Sequence, residues 1–123
     1  MRPEERDPAH LWDMLEAARA LVAFTEHLTL EAFLAAGMDR EITRLAVERE
    51  LEILGEAARR VSSHVQDAHP EIPWKEIVGL RNVISHEYDR INYTEIFSIV
   101  RERIPELIMF LEPLVPPPPP LEE

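Results

Sequence analysis

Asp39-Arg-Glu-Ile-Thr-Arg-Leu-Ala-Val-Glu-Arg-Glu-Leu-Glu-Ile-Leu-Gly-Glu-Ala-Ala-Arg-Arg-Val-Ser-Ser63 is the longest uninterrupted periodic stretch of the chain. Ile42, Leu45, Ala46, Ile53, Leu54, Ala57, Ala58 and Val61 recur in it at helical steps, which predicts one helix with these residues on its buried side. Asp39 is the expected N-cap. A helix reaching Ser63 is roughly 37 Å long at 1.5 Å per residue. Gly55 lies inside the pattern, where glycine costs about 1 kcal/mol relative to alanine; the close approach of a second helix is the expected reason. Arg40, Arg44, Arg49, Arg59 and Arg60 alternate with Glu41, Glu48, Glu50, Glu52 and Glu56, as on a solvated face with ion pairs one turn apart. Glu56 is expected to pair with Arg59 or Arg60, the other reading being that it faces a site.

Outward from this helix the pattern stays helical. Asp7 and Pro8 suit a helix start, and Leu11, Met14, Leu15, Ala18, Leu21, Val22 and Thr25 carry the apolar stripe to about His27. Thr29 can cap a short helix from Leu30 to Ala36, with Leu30, Phe33 and Leu34 inward and Gly37 closing its C-terminus. On the other side, His69-Pro70 and Ile72-Pro73 interrupt the pattern, because a residue before proline avoids helical angles. A fourth helix is expected to begin at Pro73 with Trp74 as a core anchor, and a fifth at Tyr93 capped by Asn92. Pro105 should kink or break the fifth helix. The run Pro116 to Pro120 favours an extended polyproline helix and a stiff, solvated tail. The expected fold is an all-α, antiparallel bundle of four to five helices over residues 1–112, followed by a proline-rich tail, 113–123.

A chain of 123 residues fits one domain with one core. No apolar run approaches the length of a membrane span, and no signal-like segment follows the charged N-terminus. The absence of cysteine rules out disulfides and thiolate metal sites. The cytoplasm is the expected location. A net charge of −11 opposes a broad basic face for nucleic acid, so any such contact must be local or transient.

The chemistry concentrates between Glu71 and Tyr88, where Arg81, Asn82, Ser85, His86 and Tyr88 fall close together. Asn82 and His86 are one turn apart on a helix, and Arg81, Ser85 and Tyr88 form an adjoining stripe if the helix persists. Arg81 and His86 sit about 140° apart around the axis, so one helix does not focus them. His86 exchanges a proton near neutral pH, and Arg81 offers a planar fork suited to phosphate. Together they fit metal-independent RNA cleavage, with His86 taking the 2′-hydroxyl proton and Arg81 stabilising charge on the phosphate. The same spacing also fits a capping histidine and a surface-paired arginine. His10, His27, His64 and His69 show no metal-ligand spacing, so neither a metal nor a cofactor is expected.

Leu51-Glu-Ile-Leu-Gly-Glu-Ala-Ala-Arg-Arg-Val-Ser62 and Pro70-Glu-Ile-Pro-Trp-Lys-Glu-Ile-Val-Gly-Leu-Arg-Asn-Val-Ile-Ser-His-Glu-Tyr88, continuing through Asn92-Tyr-Thr-Glu-Ile-Phe97, resemble the HepT-like toxins of the HEPN superfamily. The resemblance covers roughly residues 8–112. It implies a dimerising all-α bundle with ribonuclease sites where two copies meet, and the toxin role of a type VII HepT/MntA toxin–antitoxin system. It makes Arg81 and His86 the catalytic pair, with Asn82 and Ser85 in support. It makes Tyr88 the residue AMPylated by a partner, an MntA-type nucleotidyltransferase antitoxin. A non-catalytic HEPN module that binds a nucleotidyltransferase or nucleotide is the alternative.

Overall fold

The computed structural model describes residues 2–116, and all regular structure among them is helical. After a 3-10 turn at Pro3–Arg6, the helices are α1 (Asp7–Thr25), α2 (Leu30–Leu34), α3 (Met38–Arg60), α4 (Ser63–Ala68), α5 (Trp74–His86), α6 (Tyr93–Glu102) and α7 (Ile104–Leu111). Further 3-10 turns occupy Tyr88–Arg90 and Glu112–Leu114. The predicted fifth helix is divided at Pro105, which sits at the start of α7 where its missing N–H costs nothing. A 3-10 turn runs on through Pro113, and Leu114 and Val115 still pack against the core. Most of the polyproline run, Pro117 to Pro120, lies outside the described residues.

α3 is the central element. α1 packs along one flank and α5 along another, while α6 and α7 close over α1. Met14, Ala18 and Leu21 of α1 meet Val47, Leu51, Leu54 and Ala58 of α3 and Val100 and Leu111 of the last two helices in one core. α5 touches the bundle chiefly through α3, leaving an apolar groove of about 590 Å³ beside α6 and α7, with Leu80, Val83, Ile99 and Phe110 in its walls.

Several helix ends are closed by side chains, some local and some from distant sequence. Thr29 accepts from the Ala32 N–H at 3.1 Å and Asn92 from the Glu95 N–H at 3.1 Å, as expected of N-caps. Asp7 does not cap α1. It is the first helical residue, and its buried carboxylate accepts from the Ser62 N–H at 2.9 Å and from the Ser62 hydroxyl. α3 stops at Arg60, three residues short of the expected Ser63, because Val61 turns to extended angles. Gln66 of the unpredicted α4 then donates to the Val61 carbonyl at 2.9 Å and the Ala58 carbonyl at 3.3 Å. Arg101 of α6 caps the end of α1 by donating to the carbonyls of Thr25 at 3.0 Å, Glu26 at 3.3 Å and Leu28.

Gly37 serves α3 rather than α2. α2 ends at Leu34, and Gly37 occupies the position before α3 with φ +115°, a conformation that glycine reaches without steric cost. Of the inward residues expected in α2 only Phe33 is buried; its ring packs on Phe97 at 5.1 Å and edge-on to Tyr93 at 6.3 Å. Arg44 is not an ion-pairing surface residue. It donates to the carbonyls of Phe33 at 2.7 Å and Ala35 at 3.0 Å and covers the Tyr93 ring. Tyr93 donates to the buried Glu48, and burial together with that carboxylate pushes the phenol well above its ordinary range.

Candidate functional site

The buried side of α3 is the expected one in its second half, where Leu54, Ala57 and Ala58 are buried, with Val61 just beyond, but not in its first. Val47, Leu51, Leu54 and Ala58 face the core, whereas Ile42 and Leu45 are 56% and 49% exposed. At 100° per residue, Met38, Ile42, Leu45, Arg49, Glu52 and Glu56 share an outer stripe about 80° wide, opposite the core residues. α3 is therefore apolar on both sides in its first half, and the outer stripe runs from an apolar end to a charged one.

Gly55 brings α5 against that charged end. A Cβ built at Gly55 would lie 2.1 Å from the Arg81 Cβ and 3.2 Å from the Ile77 carbonyl oxygen, so only a glycine admits the helix at this distance. The expected close approach is thus made by Arg81 itself. Its half-buried guanidinium lies 3.4 Å from the Glu56 carboxylate and donates to the Asn82 side chain at 3.1 Å. Glu56 both pairs on its own helix and faces the site: it accepts from Arg59 at 2.7 Å and from Arg60 at 2.9 Å as well. Hydrogen bonds from Arg59 and then Arg60 hold its carboxyl down at about 2. One turn earlier, Glu52 accepts from the Ser85 hydroxyl at 3.0 Å, tying the end of α5 to α3.

α5 ends at His86, whose side chain is exposed and makes no hydrogen bond among the described residues. The helix does not persist to Tyr88. Glu87 leaves helical angles (φ −125°, ψ 51°), so the proposed stripe of Arg81, Ser85 and Tyr88 is broken, and Tyr88 begins the following 3-10 turn with 68% of its surface exposed. Arg81 and His86 are not in contact. Arg81 turns toward α3 while His86 stands at the helix end. Trp74 is a core anchor, buried and donating from its indole to the His69 carbonyl at 3.0 Å.

Over the outer face of α3, between α1 and α5, lies a trough of about 300 Å³ with His10 and Asp13 on one wall, Arg81 on the other and Arg49, Glu56 and Arg60 in its floor. His10, Asp13 and Arg49 had no signal of their own in the sequence. The step of three and four residues through Arg49, Glu52 and Glu56 was the available clue, obscured because the neighbouring core stripe has the same period. Among the described residues no three histidine, aspartate or glutamate side chains gather as a metal-binding set, and no helix is long and apolar enough to cross a membrane.

The all-α bundle, with Arg81 and His86 on α5 and Tyr88 just beyond it, is of the HEPN type by its family match. The chain belongs to the ribonuclease HepT-like family, whose model matches residues 14–114. It is 38% identical over 99 residues to "Putative RNase MJ1380" of Methanocaldococcus jannaschii, covering 80% of this chain and 87% of that protein. It is 36% identical over 98 residues to "Probable ribonuclease HepT" of Thermococcus cleftensis, covering 80% and 86%. "Putative RNase MJ0127" of M. jannaschii is 34% identical over 113 residues, covering 92% of this chain and 90% of that protein. No solved structure matches.

Proposed function

We propose that this protein is a cytoplasmic toxin ribonuclease that cuts RNA without a metal, using Arg81 and His86 at the interface of a homodimer. The observation that carries the reading is the state of the pair within a ribonuclease HepT-like chain: Arg81 is anchored by Glu56, and His86 is exposed and unengaged at the end of the same helix. In the reaction His86 removes the proton of a ribose 2′-hydroxyl, whose oxygen attacks the adjacent phosphorus; the bond to the 5′-oxygen breaks, that oxygen takes a proton from solvent, and a 2′,3′-cyclic phosphate remains. Arg81 stabilises the charge that develops on the phosphate oxygens. Asn82 orients Arg81, and Ser85 fixes the helix end through Glu52.

The dimer is supported by the outer stripe of α3. Met38 (70% exposed), Ile42 and Leu45 present an apolar surface in line with the site, and a second copy docked there buries it while setting two α5 ends face to face. Tyr88 is the proposed regulatory position. Its exposed hydroxyl is open to a nucleotidyltransferase antitoxin, the tyrosyl oxygen displacing pyrophosphate from ATP to leave AMP on the ring. The added phosphate and nucleoside block the groove by bulk and by competing for Arg81.

The test is cleavage of cellular RNA by purified protein in the presence of chelator. Wild type should cleave, and His86→Ala should not; cleavage surviving in His86→Ala removes its role, and an inert wild type removes the enzyme. Ile42→Glu should yield a monomer without activity although Arg81 and His86 are untouched. The net charge of −11 favours a second reading, a non-catalytic module that binds a nucleotidyltransferase. That module would bind its partner yet leave RNA intact and growth unaffected.

A further inference from the structure

The trough between α1 and α5 is left over by this account. Arg81 forms one of its walls, but Arg49, Arg60, His10 and Asp13 line it as well, and none of these belongs to the Arg-x4-His pair. Three arginines, Arg49, Arg60 and Arg81, line the trough with the carboxylates of Asp13, Glu52 and Glu56, on a chain that is strongly acidic overall, and Arg59 pairs with Glu56 from outside the lining. Those carboxylates are largely committed. Glu52 accepts from Ser85, and the single Glu56 carboxylate is surrounded by Arg59, Arg60 and Arg81. Arg49 is exposed and has no ion pair among the described residues. On a chain of net charge −11, a trough where arginines match carboxylates in number and Arg49 is left without an ion pair among the described residues is a place where an acidic protein can hold a polyanion.

Size and chemistry narrow the ligand. A volume of about 300 Å³ is at the small end of ligand sites and takes about one nucleotide. Arginine forks match phosphate oxygens. His10 and Asp13 are one helical turn apart on α1, and together offer a carboxylate acceptor and an imidazole for the edge of an unpaired base, the mode by which single-stranded RNA is read.

Building on the ribonuclease reading, we propose that the trough holds a nucleotide of single-stranded RNA flanking the bond to be cut, with Arg49 and Arg60 on its phosphates and His10 and Asp13 against its base. Arg81 closes the trough at the α5 end, so a strand leaving it passes directly to the catalytic helix. Arg81 thus joins the binding subsite to the site of cleavage.

The test separates binding from cleavage by using a fluorescent 2′-O-methyl RNA oligonucleotide, which lacks the attacking hydroxyl, in anisotropy titrations over a salt series. Each phosphate contact on a single strand contributes about 0.7 to the slope of log K against log salt. Arg49→Ala should weaken binding about ten-fold whatever the sequence, as expected for loss of a charged hydrogen bond, and lower that slope by about 0.7. Asp13→Asn should leave the slope alone and change the preference among homopolymeric probes. Arg19→Ala, on an exposed part of α1 beside Glu16 and Glu112, is the control and should bind as wild type. Circular dichroism verifies that each variant is folded. A wild type that fails to bind the probe, or an Arg49→Ala variant with unchanged affinity and slope, overturns the proposal. Cleavage of unmodified RNA is scored separately. Arg49-dependent binding without cleavage by wild type keeps the trough and removes the nuclease; cleavage with Arg49-independent binding does the reverse.

Discussion

Replacing Gly55 and Gly79 by alanine, one at a time, should move stability in opposite directions. Both glycines lie inside helices, so each alanine gains about 1 kcal/mol of helix propensity. At Gly79 the new methyl meets nothing within 4 Å, and the gain is kept. At Gly55 the methyl carbon would sit 2.1 Å from the Arg81 Cβ and 2.7 Å from its Cγ. Ordinary contact begins near 3.4 Å, so α5 must retreat from α3 by more than 1 Å along its main packing contact. Overpacking of this kind costs about 1–3 kcal/mol, and backbone on both sides leaves little slack. The net expectation is a gain of up to about 1 kcal/mol for Gly79→Ala and a loss of up to about 2 kcal/mol for Gly55→Ala. Urea unfolding read by circular dichroism measures both; each kcal/mol moves the thermal midpoint by about 4 °C in a chain of this size. Because the displaced residue is Arg81, Gly55→Ala should also lose more RNA cleavage than its residual fold accounts for. A Gly55→Ala protein as stable as wild type, with Gly79→Ala no more stable, would refute the reasoning that glycine sets the α3–α5 distance.

Phe33→Ala should cost about 3–5 kcal/mol, since it empties a fully buried position and removes both ring contacts that pin α2 to α6; denaturant midpoints give the value. Asp7→Ala strands the Ser62 N–H and should cost about 1–3 kcal/mol, with the first loss of protection in hydrogen exchange at α4. The Glu56 carboxyl is lowered from 4.5 to about 2, so its contribution to stability is complete above about pH 4.5 and disappears as the pH falls through 2. Glu56→Gln should therefore be less stable than wild type at neutral pH, and the two melting curves should converge toward pH 2.

The helical character, the caps at Thr29 and Asn92, the break at Pro105 and the close contact at Gly55 were legible because each rests on local chemistry: a hydroxyl or amide at a helix start, a missing N–H, a missing Cβ. The phase of the first half of α3 was not. Ile42 and Leu45 repeat at the same period as Val47 and Leu51, and periodicity alone does not tell which apolar side meets the core when both exist. α4 is six residues of weak pattern, stabilised by Asp7 and Gln66 bonds that span distant parts of the chain or join backbone to side chain. Arg81, Asn82, Ser85, His86 and Tyr88 are candidates by residue type and spacing alone. The partners Glu52 and Glu56 and the facing wall of His10 and Asp13 depend on how α1 and α5 lie on α3, which only the packed chain displays.

The bond from Arg101 to the end of α1 has a consequence for how the protein comes into being. α1 is finished by a guanidinium made about seventy-five residues later, and the part of its apolar face that α3 leaves open is covered by α6 and α7. A nascent chain that already carries Arg81 and His86 still lacks these closing pieces. Synthesis interrupted before α6 leaves the α6- and α7-facing side of α1 uncovered and the carbonyls of Thr25 and Leu28 without their donor. α6 and α7 therefore complete a core that α1, α3 and α5 only begin, and products truncated before them should be more readily proteolysed than the full chain.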